Sequence, residues 1–297
     1  MTTLSLFPGF ERRRIKTSGA MINLVIGGDG PPLLLLHGNP QTHVMWHKVA
    51  PSLARDYTVV CADLRGYGDS SKPRGLPGHA NYSKRAMALD MAEAMESLGY
   101  LGFHVVGHDR GGRVAHRLAR DFGRRVRSLT VLDISPTLKM YQNTTMQFAK
   151  AYWHWFFLIQ EEPLPETLLQ GHGPWWIVRR LGRGKSGLKH FHRDAIMDYT
   201  RAFRDPRTVH AICEDYRAAA TIDLMHDKQD LRKKLRMPVL ALWGKHGVVQ
   251  ALFDCLRDWR EVAEDVRGKP LNCGHFLAEE KPREVLAELR RFLAPRT

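Results

Sequence analysis

Five short apolar runs constrain this chain more than any other feature: Pro32 to Leu36, Tyr57 to Ala62, His104 to Val106, Leu129 to Ile134 and Pro238 to Trp243. None alternates strictly between apolar and polar residues, so each reads as a strand buried on both faces. Helical patterns lie between them, at His47 to Ala54, Ser83 to Leu98 and Gly112 to Phe122. Strands alternating with helices predict an α/β fold: a mostly parallel sheet with helices on both faces. Ligands of such sheets bind beyond the carboxyl ends of the strands. Residues that follow a strand directly are therefore the first candidates for function.

The rhythm breaks between Pro136 and about Thr221, a stretch rich in aromatics and helical periodicity, and strands resume at Pro238. This predicts an inserted helical cap, residues 137–221, between core segments 1–136 and 222–297. A length of 297 residues suits one large domain carrying such an insert. No internal repeat or low-complexity segment is visible. No apolar run reaches the roughly 18 residues of a membrane span, and Met1 to Phe10 lacks a signal pattern. The expectation is a cytoplasmic protein with no membrane partner. Cys61, Cys213, Cys255 and Cys273 form no CxxC pair, which argues against a disulfide framework or a zinc site. The formal charge of +14 is spread along the chain, with short clusters only at Arg12-Arg13-Arg14 and Lys233-Lys234. Without a nucleic-acid-binding motif, this reads as a solvated basic surface rather than a nucleic-acid partner. Its field would draw in small anions.

Chemistry concentrates at Val105-Val106-Gly107-His108-Asp109-Arg110-Gly111-Gly112. An apolar strand ends, one reactive residue sits on a turn flanked by glycines, and a helix begins. This is the G-x-S-x-G nucleophile elbow with Asp in place of Ser, and it resembles the α/β-hydrolases. Asp109 could also be a helix N-cap, but the glycines and the preceding strand favour a nucleophile. A carboxylate is ionised at neutral pH without a base. It can displace a leaving group from saturated carbon and form an alkyl ester.

In this fold the chain order is nucleophile, acid, histidine. His275, in Gly274-His275-Phe276, takes the last place. The segment after the fifth strand, Gly244-Lys245-His246-Gly247, offers no carboxylate, and Asp254 comes late. Asp133, at the end of the fourth strand, is the preferred acid, to orient and charge-stabilise the histidine. His37-Gly38-Asn39-Pro40 follows the first run as an oxyanion loop would. Its donors are expected to be the N–H groups of Asn39 and Arg110. Asp63 to Ser71 reads as a structural loop.

Arg110 and Arg113 share a face at the start of the elbow helix. Cations there oppose the helix dipole, and both lie within one turn of Asp109. An anionic substrate explains them, because arginine binds carboxylates through paired planar hydrogen bonds. A small carboxylic acid with its α-carbon facing Asp109 is implied.

With these residues in view, the chain resembles the fluoroacetate (haloacetate) dehalogenases of the α/β-hydrolase superfamily over nearly its whole length. Further matches are Phe7-Pro8-Gly9-Phe10, Gln41-Thr42-His43-Val44-Met45-Trp46, Ala151-Tyr152-Trp153-His154-Trp155 and Asp215-Tyr216-Arg217-Ala218. The resemblance implies hydrolysis of fluoroacetate or chloroacetate to glycolate without metal or cofactor. Asp109 would be the nucleophile, His275 the base and Asp133 its partner. Arg110 and Arg113 would hold the substrate carboxylate, and His154, Trp155 and Tyr216 the departing halide, in a homodimer. Asn39 departs from the family, which often has Phe there. It is similar to haloalkane dehalogenases, where the amide helps bind halide, but Arg110 argues against a neutral haloalkane. The enzymatic alternative is an epoxide hydrolase, with Tyr152 or Tyr216 as acid. The non-enzymatic alternative is a ligand-binding receptor on the same fold.

Overall fold

The computed structural model describes residues 3–182 and 187–294. Residues 183–186 of the expected cap lie outside the described residues, as do both chain ends. Eight strands form one sheet in the order β1-β2-β4-β3-β5-β6-β7-β8. They are β1 (Phe10–Lys16), β2 (Met21–Gly27), β3 (Pro32–Leu36), β4 (Thr58–Ala62), β5 (Phe103–His108), β6 (Val126–Leu132), β7 (Val239–Gly244) and β8 (Val266–Leu271). β2 runs antiparallel to β1 and β4, and the remaining pairs are parallel.

The five central strands are those the apolar runs predict, with ends displaced by up to three residues. Leu33 to Leu36 of β3 and all of β4 are buried, worth roughly 1.5–3 kcal/mol for each large side chain. The sequence reading lacks β1, β2 and β8. β1 and β8 are edge strands: β1 is mostly exposed and charged, and β8 has exposed Arg267, Lys269 and Pro270, as protected edges do. β2 is a largely buried apolar run interrupted by Asn23, a signal the sequence reading missed. The expected helix from His47 to Ala54 is instead two short pieces, a 3₁₀ turn at His43–Trp46 and a helix at Ala50–Leu53. Pro51 accounts for the break: it has no N–H and would clash with a carbonyl one turn back.

The helix Lys84–Ser97 starts where Ser83 accepts a bond from the Ala86 N–H, a cap worth about 1 kcal/mol. It packs on the elbow helix, Arg110–Asp121. Between β6 and β7 the described chain is helical. One of these helices, Pro206–Ala220, returns over the carboxyl ends of the strands and touches the elbow. Among the described residues no helix is long and apolar enough to cross a membrane.

Candidate active site

β5 delivers Asp109 onto a turn that its backbone would not choose alone. Asp109 has φ 47°, in the left-handed region that costs a non-glycine residue free energy. Two glycines make the turn possible. A Cβ on Gly107 would stand 2.4 Å from the Gly111 carbonyl oxygen, and one on Gly111 would stand 2.4 Å from that of His37.

The Asp109 carboxylate is buried. Burial raises its pKa, but His275, His108, Arg113 and Arg110 together bring it below the ordinary value. It therefore stays ionised. The Asn39 N–H donates to Asp109 Oδ2 at 3.0 Å. The Arg110 N–H stands at the first position of the elbow helix, where no intrahelical acceptor exists.

His275 Nδ1 is 2.6 Å from Asp133 Oδ2. This contact directs the Nδ1 proton to the carboxylate and leaves the lone pair on Nε2. Asp133, itself at φ 55°, also accepts the Gly244 N–H at 2.8 Å through Oδ1. Two residues that sequence reasoning passed over hold the histidine loop. Glu280 accepts the N–H groups on either side of His275, from Gly274 at 2.8 Å and Phe276 at 2.9 Å. His108 Nε2 lies 2.9 Å from the His275 carbonyl oxygen. Burial and the neighbouring His275 push the His108 pKa down to about 3, so it is a neutral donor.

The two arginines differ. Arg110 is fully buried and its fork is taken by Asp215: Nε donates to Oδ2 at 2.8 Å and Nη2 to Oδ1 at 2.9 Å. Asp215, on the helix Pro206–Ala220, also accepts Tyr67 Oη at 2.7 Å and the Lys84 ammonium. Of the Arg110 nitrogens, Nη1 is buried with no partner among the described residues. Paired planar binding of a ligand by Arg110, as the sequence suggests, is thus replaced by paired binding of Asp215.

Arg113 is 3 % exposed and makes no ion pair with a described residue. Its Nη atoms donate to Thr137 Oγ1 at 2.9 Å, Ser135 O at 3.4 Å and Met140 Sδ at 3.2 Å, while Nε has no partner. Burial, then the charge of Arg110, lowers its pKa.

The aromatic residues cover these cations. The Arg110 guanidinium lies 4.2 Å from the Tyr216 ring centroid and that of Arg113 4.8 Å from Trp155. Asn39 Nδ2 donates to Tyr216 Oη at 3.2 Å. Asn39 therefore touches both the Asp109 carboxylate and the Tyr216 phenol. His154 stands against Arg180, another residue absent from the sequence reading. Arg180 Nη1 is 2.9 Å from His154 Nδ1 and Nη2 is 2.8 Å from Nε2. A cavity of about 700 Å³ opens on Asp109, Tyr152, His154, Trp155, Arg180 and His275.

Among the described residues, one group has metal-like spacing: Glu162, Glu166 and His210. It is closed by ion pairs to Arg74 and Arg217. His210 Nε2 accepts the Gly75 N–H at 3.2 Å, which places the ring proton on Nδ1, facing the carboxylates. That ring offers no lone pair to a cation.

The alpha/beta hydrolase fold family matches residues 31–282. A fluoroacetate dehalogenase from Burkholderia sp is 46 % identical over 97 % of this chain and 95 % of its own length. A soluble epoxide hydrolase from Corynebacterium sp. (strain C12) is 35 % identical over 94 % of this chain and 95 % of its own. Among solved structures, ALR0039 from Nostoc sp PCC 7120 superposes with a TM-score of 0.96 at 55 % identity, covering 97 % of this chain and 99 % of that one.

Proposed function

Since this chain belongs to the fluoroacetate dehalogenase family of the alpha/beta hydrolase superfamily, we propose that it hydrolyses haloacetates, fluoroacetate and chloroacetate among them, to glycolate and halide through a covalent ester on Asp109. The observation that carries the substrate class is Arg113. A buried guanidinium without a carboxylate partner is costly, and a substrate carboxylate supplies one. The unpartnered Arg110 Nη1 and Arg113 Nε would give it two charge-assisted donors.

Held by these donors, the substrate presents its α-carbon to Asp109, which turns much of the entropic barrier into binding. The carboxylate attacks that carbon, the carbon–halogen bond breaks, and halide departs toward the cap. Tyr216 O–H, the Trp155 indole N–H and His154 are the proposed donors to it, replacing the water that a halide ion holds in solution. His275 Nε2 then takes a proton from water. The resulting hydroxide attacks the ester carbonyl of Asp109, and Asn39 and Arg110 N–H groups hold the oxyanion. Collapse returns that proton to the leaving glycolate oxygen, and the Asp109 carboxylic acid so formed loses its own proton to solvent, which regenerates the carboxylate. We propose that residues 137–221 act as the cap in this cycle and that the protein works as a homodimer, which light scattering tests.

The experiment is halide release from fluoroacetate and chloroacetate, with Asp109→Asn as control. Release abolished in the variant is expected. His275→Asn is expected to accumulate the glycolyl ester, read by intact mass. In single turnover in labelled water, label must enter Asp109 first, and its direct appearance in glycolate would refute the covalent route.

A further inference from the structure

The site holds a proton donor that halide release does not need. A halide ion leaves as a weak base and asks only for hydrogen bonds. An epoxide oxygen leaves as an alkoxide and needs a proton as its bond breaks. Tyr216 is placed to give one and to bear the charge afterwards. Asn39 Nδ2 donates to its oxygen at 3.2 Å, so the phenol proton points elsewhere. The Arg110 guanidinium lies 4.2 Å from the ring centroid. Both contacts favour a phenolate, against burial and the charge of Asp109, which push the Tyr216 pKa up; formation of the ester removes the Asp109 charge. Because the Asn39 N–H is 3.0 Å from Asp109 Oδ2, nucleophile and phenol flank the same residue.

We propose that this site also hydrolyses α,β-epoxy carboxylates, of which glycidate is the smallest, to 2,3-dihydroxy acids. The inference rests on the carboxylate-binding reading of Arg110 and Arg113. Their donors would hold the carboxylate of the epoxy acid as they hold that of a haloacetate. Asp109 attacks the α-carbon, the bond from that carbon to the ring oxygen breaks, and the oxygen stays on the β-carbon. It takes the Tyr216 proton, leaving an ester and a phenolate. His275 removes a proton from water, hydroxide attacks the ester carbonyl, and the departing α-oxygen takes that proton back. The Asp109 carboxylic acid so formed returns its proton to Tyr216. One water is consumed, nothing is oxidised, and no second co-reactant is needed. Tyr216 here is a catalytic residue, whereas Asn39 is a positioning residue.

The test is to incubate the wild-type protein with glycidate, with the neutral analogue glycidol and with chloroacetate. Glycerate, glycerol and chloride are measured side by side. Glycerate formation well above glycidol hydrolysis is expected. His275→Asn should gain the full mass of glycidic acid, because an epoxide adds without losing a group. With chloroacetate the same variant gains the mass of the acid less hydrogen chloride. Tyr216→Phe should lower glycidate turnover by about 10²–10⁴-fold, the usual reach of a general acid. Asn39→Ala should lower glycidate turnover more than chloroacetate turnover. Chloride release without glycerate would overturn this inference and leave the haloacetate reading standing. Neither product would sink both. Glycidol turned over as fast as glycidate would overturn the epoxy-carboxylate class. Full glycidate turnover by Tyr216→Phe would overturn the role of the phenol.

Discussion

Replacing Arg113 by Met should make the protein more stable and much less able to bind its substrate. The stability side follows from what the guanidinium touches. It makes no ion pair with a described residue and one good hydrogen bond, to the uncharged Thr137 Oγ1 at 2.9 Å. With its charged donor that bond is worth about 1.5–3 kcal/mol, and the contact with the Trp155 ring about 1–2; the charge of Asp109 adds to this side. Removing a buried cation from an apolar site returns a desolvation cost of several kcal/mol. Methionine fills irregular space without strain. The balance favours the variant by up to about 2 kcal/mol, which at roughly 2 °C per kcal/mol raises Tm by up to about 4 °C. The binding side loses a charge-assisted hydrogen bond worth about 1.5–3 kcal/mol, so KM for chloroacetate should rise by about 10–150-fold. Scanning calorimetry and steady-state chloride release read the two effects separately. A fall in Tm of several degrees with KM unchanged would mean that Arg113 is a structural cation, and the carboxylate-binding argument would fail.

Asp215→Asn should act in the opposite sense, leaving Arg110 buried without a carboxylate and Lys84 with Asp223 as its remaining one. A loss of about 3–5 kcal/mol and a Tm lower by about 6–10 °C are expected in calorimetry, and an unchanged Tm would refute the pairing as a stabilising contact. Glu279 supplies the pH dependence. Burial raises its pKa to about 8 against the hydrogen bond from Tyr199 and the charge of Lys48. A carboxyl that is protonated in the fold but ionised in the unfolded chain favours folding fully below about pH 4.5. That contribution fades as pH rises to about 8, by up to about 1.4 kcal/mol per pH unit. Tm measured between pH 5 and 8.5 should decline, and Glu279→Gln should flatten the decline. A slope that persists in the variant would assign it to another group.

The readable parts of this protein were those whose signal is local. A strand buried on both faces is a run of apolar residues, and an elbow is a run of glycines around one reactive residue. Asp133 could be picked out because it ends a strand at the edge where a histidine must be served, and the two groups lie 2.6 Å apart. What local pattern does not contain is the pairing of distant residues. Asp215 lies 105 residues from Arg110 and 131 from Lys84. Nothing in its own surroundings, a helix in which Glu214 precedes it and Arg217 follows two places on, says that it is the counter-ion of a distant guanidinium. Glu280 could have been found by asking which acceptor serves the N–H groups beside His275. Arg180 had no comparable signal, since its meaning comes from the ring of His154 packed against it.

That division also explains why two adjacent arginines cannot be treated as one clamp. The N-terminus of a helix disfavours cations, and the fold answers this differently at each position. Arg110 is neutralised from the helix Pro206–Ala220, with its fork consumed and one N–H left over. Arg113 is left with neutral acceptors and its Nε unpaired. A ligand carboxylate bound as proposed would therefore meet one donor from each of two guanidinium groups rather than the fork of one. Two donors from separate side chains fix the direction of the carboxylate only while both side chains are fixed. Asp215 holds the first and the Trp155 ring covers the second. Because both of those residues lie between β6 and β7, the proposed grip on a carboxylate would depend on how the helical segment sits on the sheet as much as on the elbow itself.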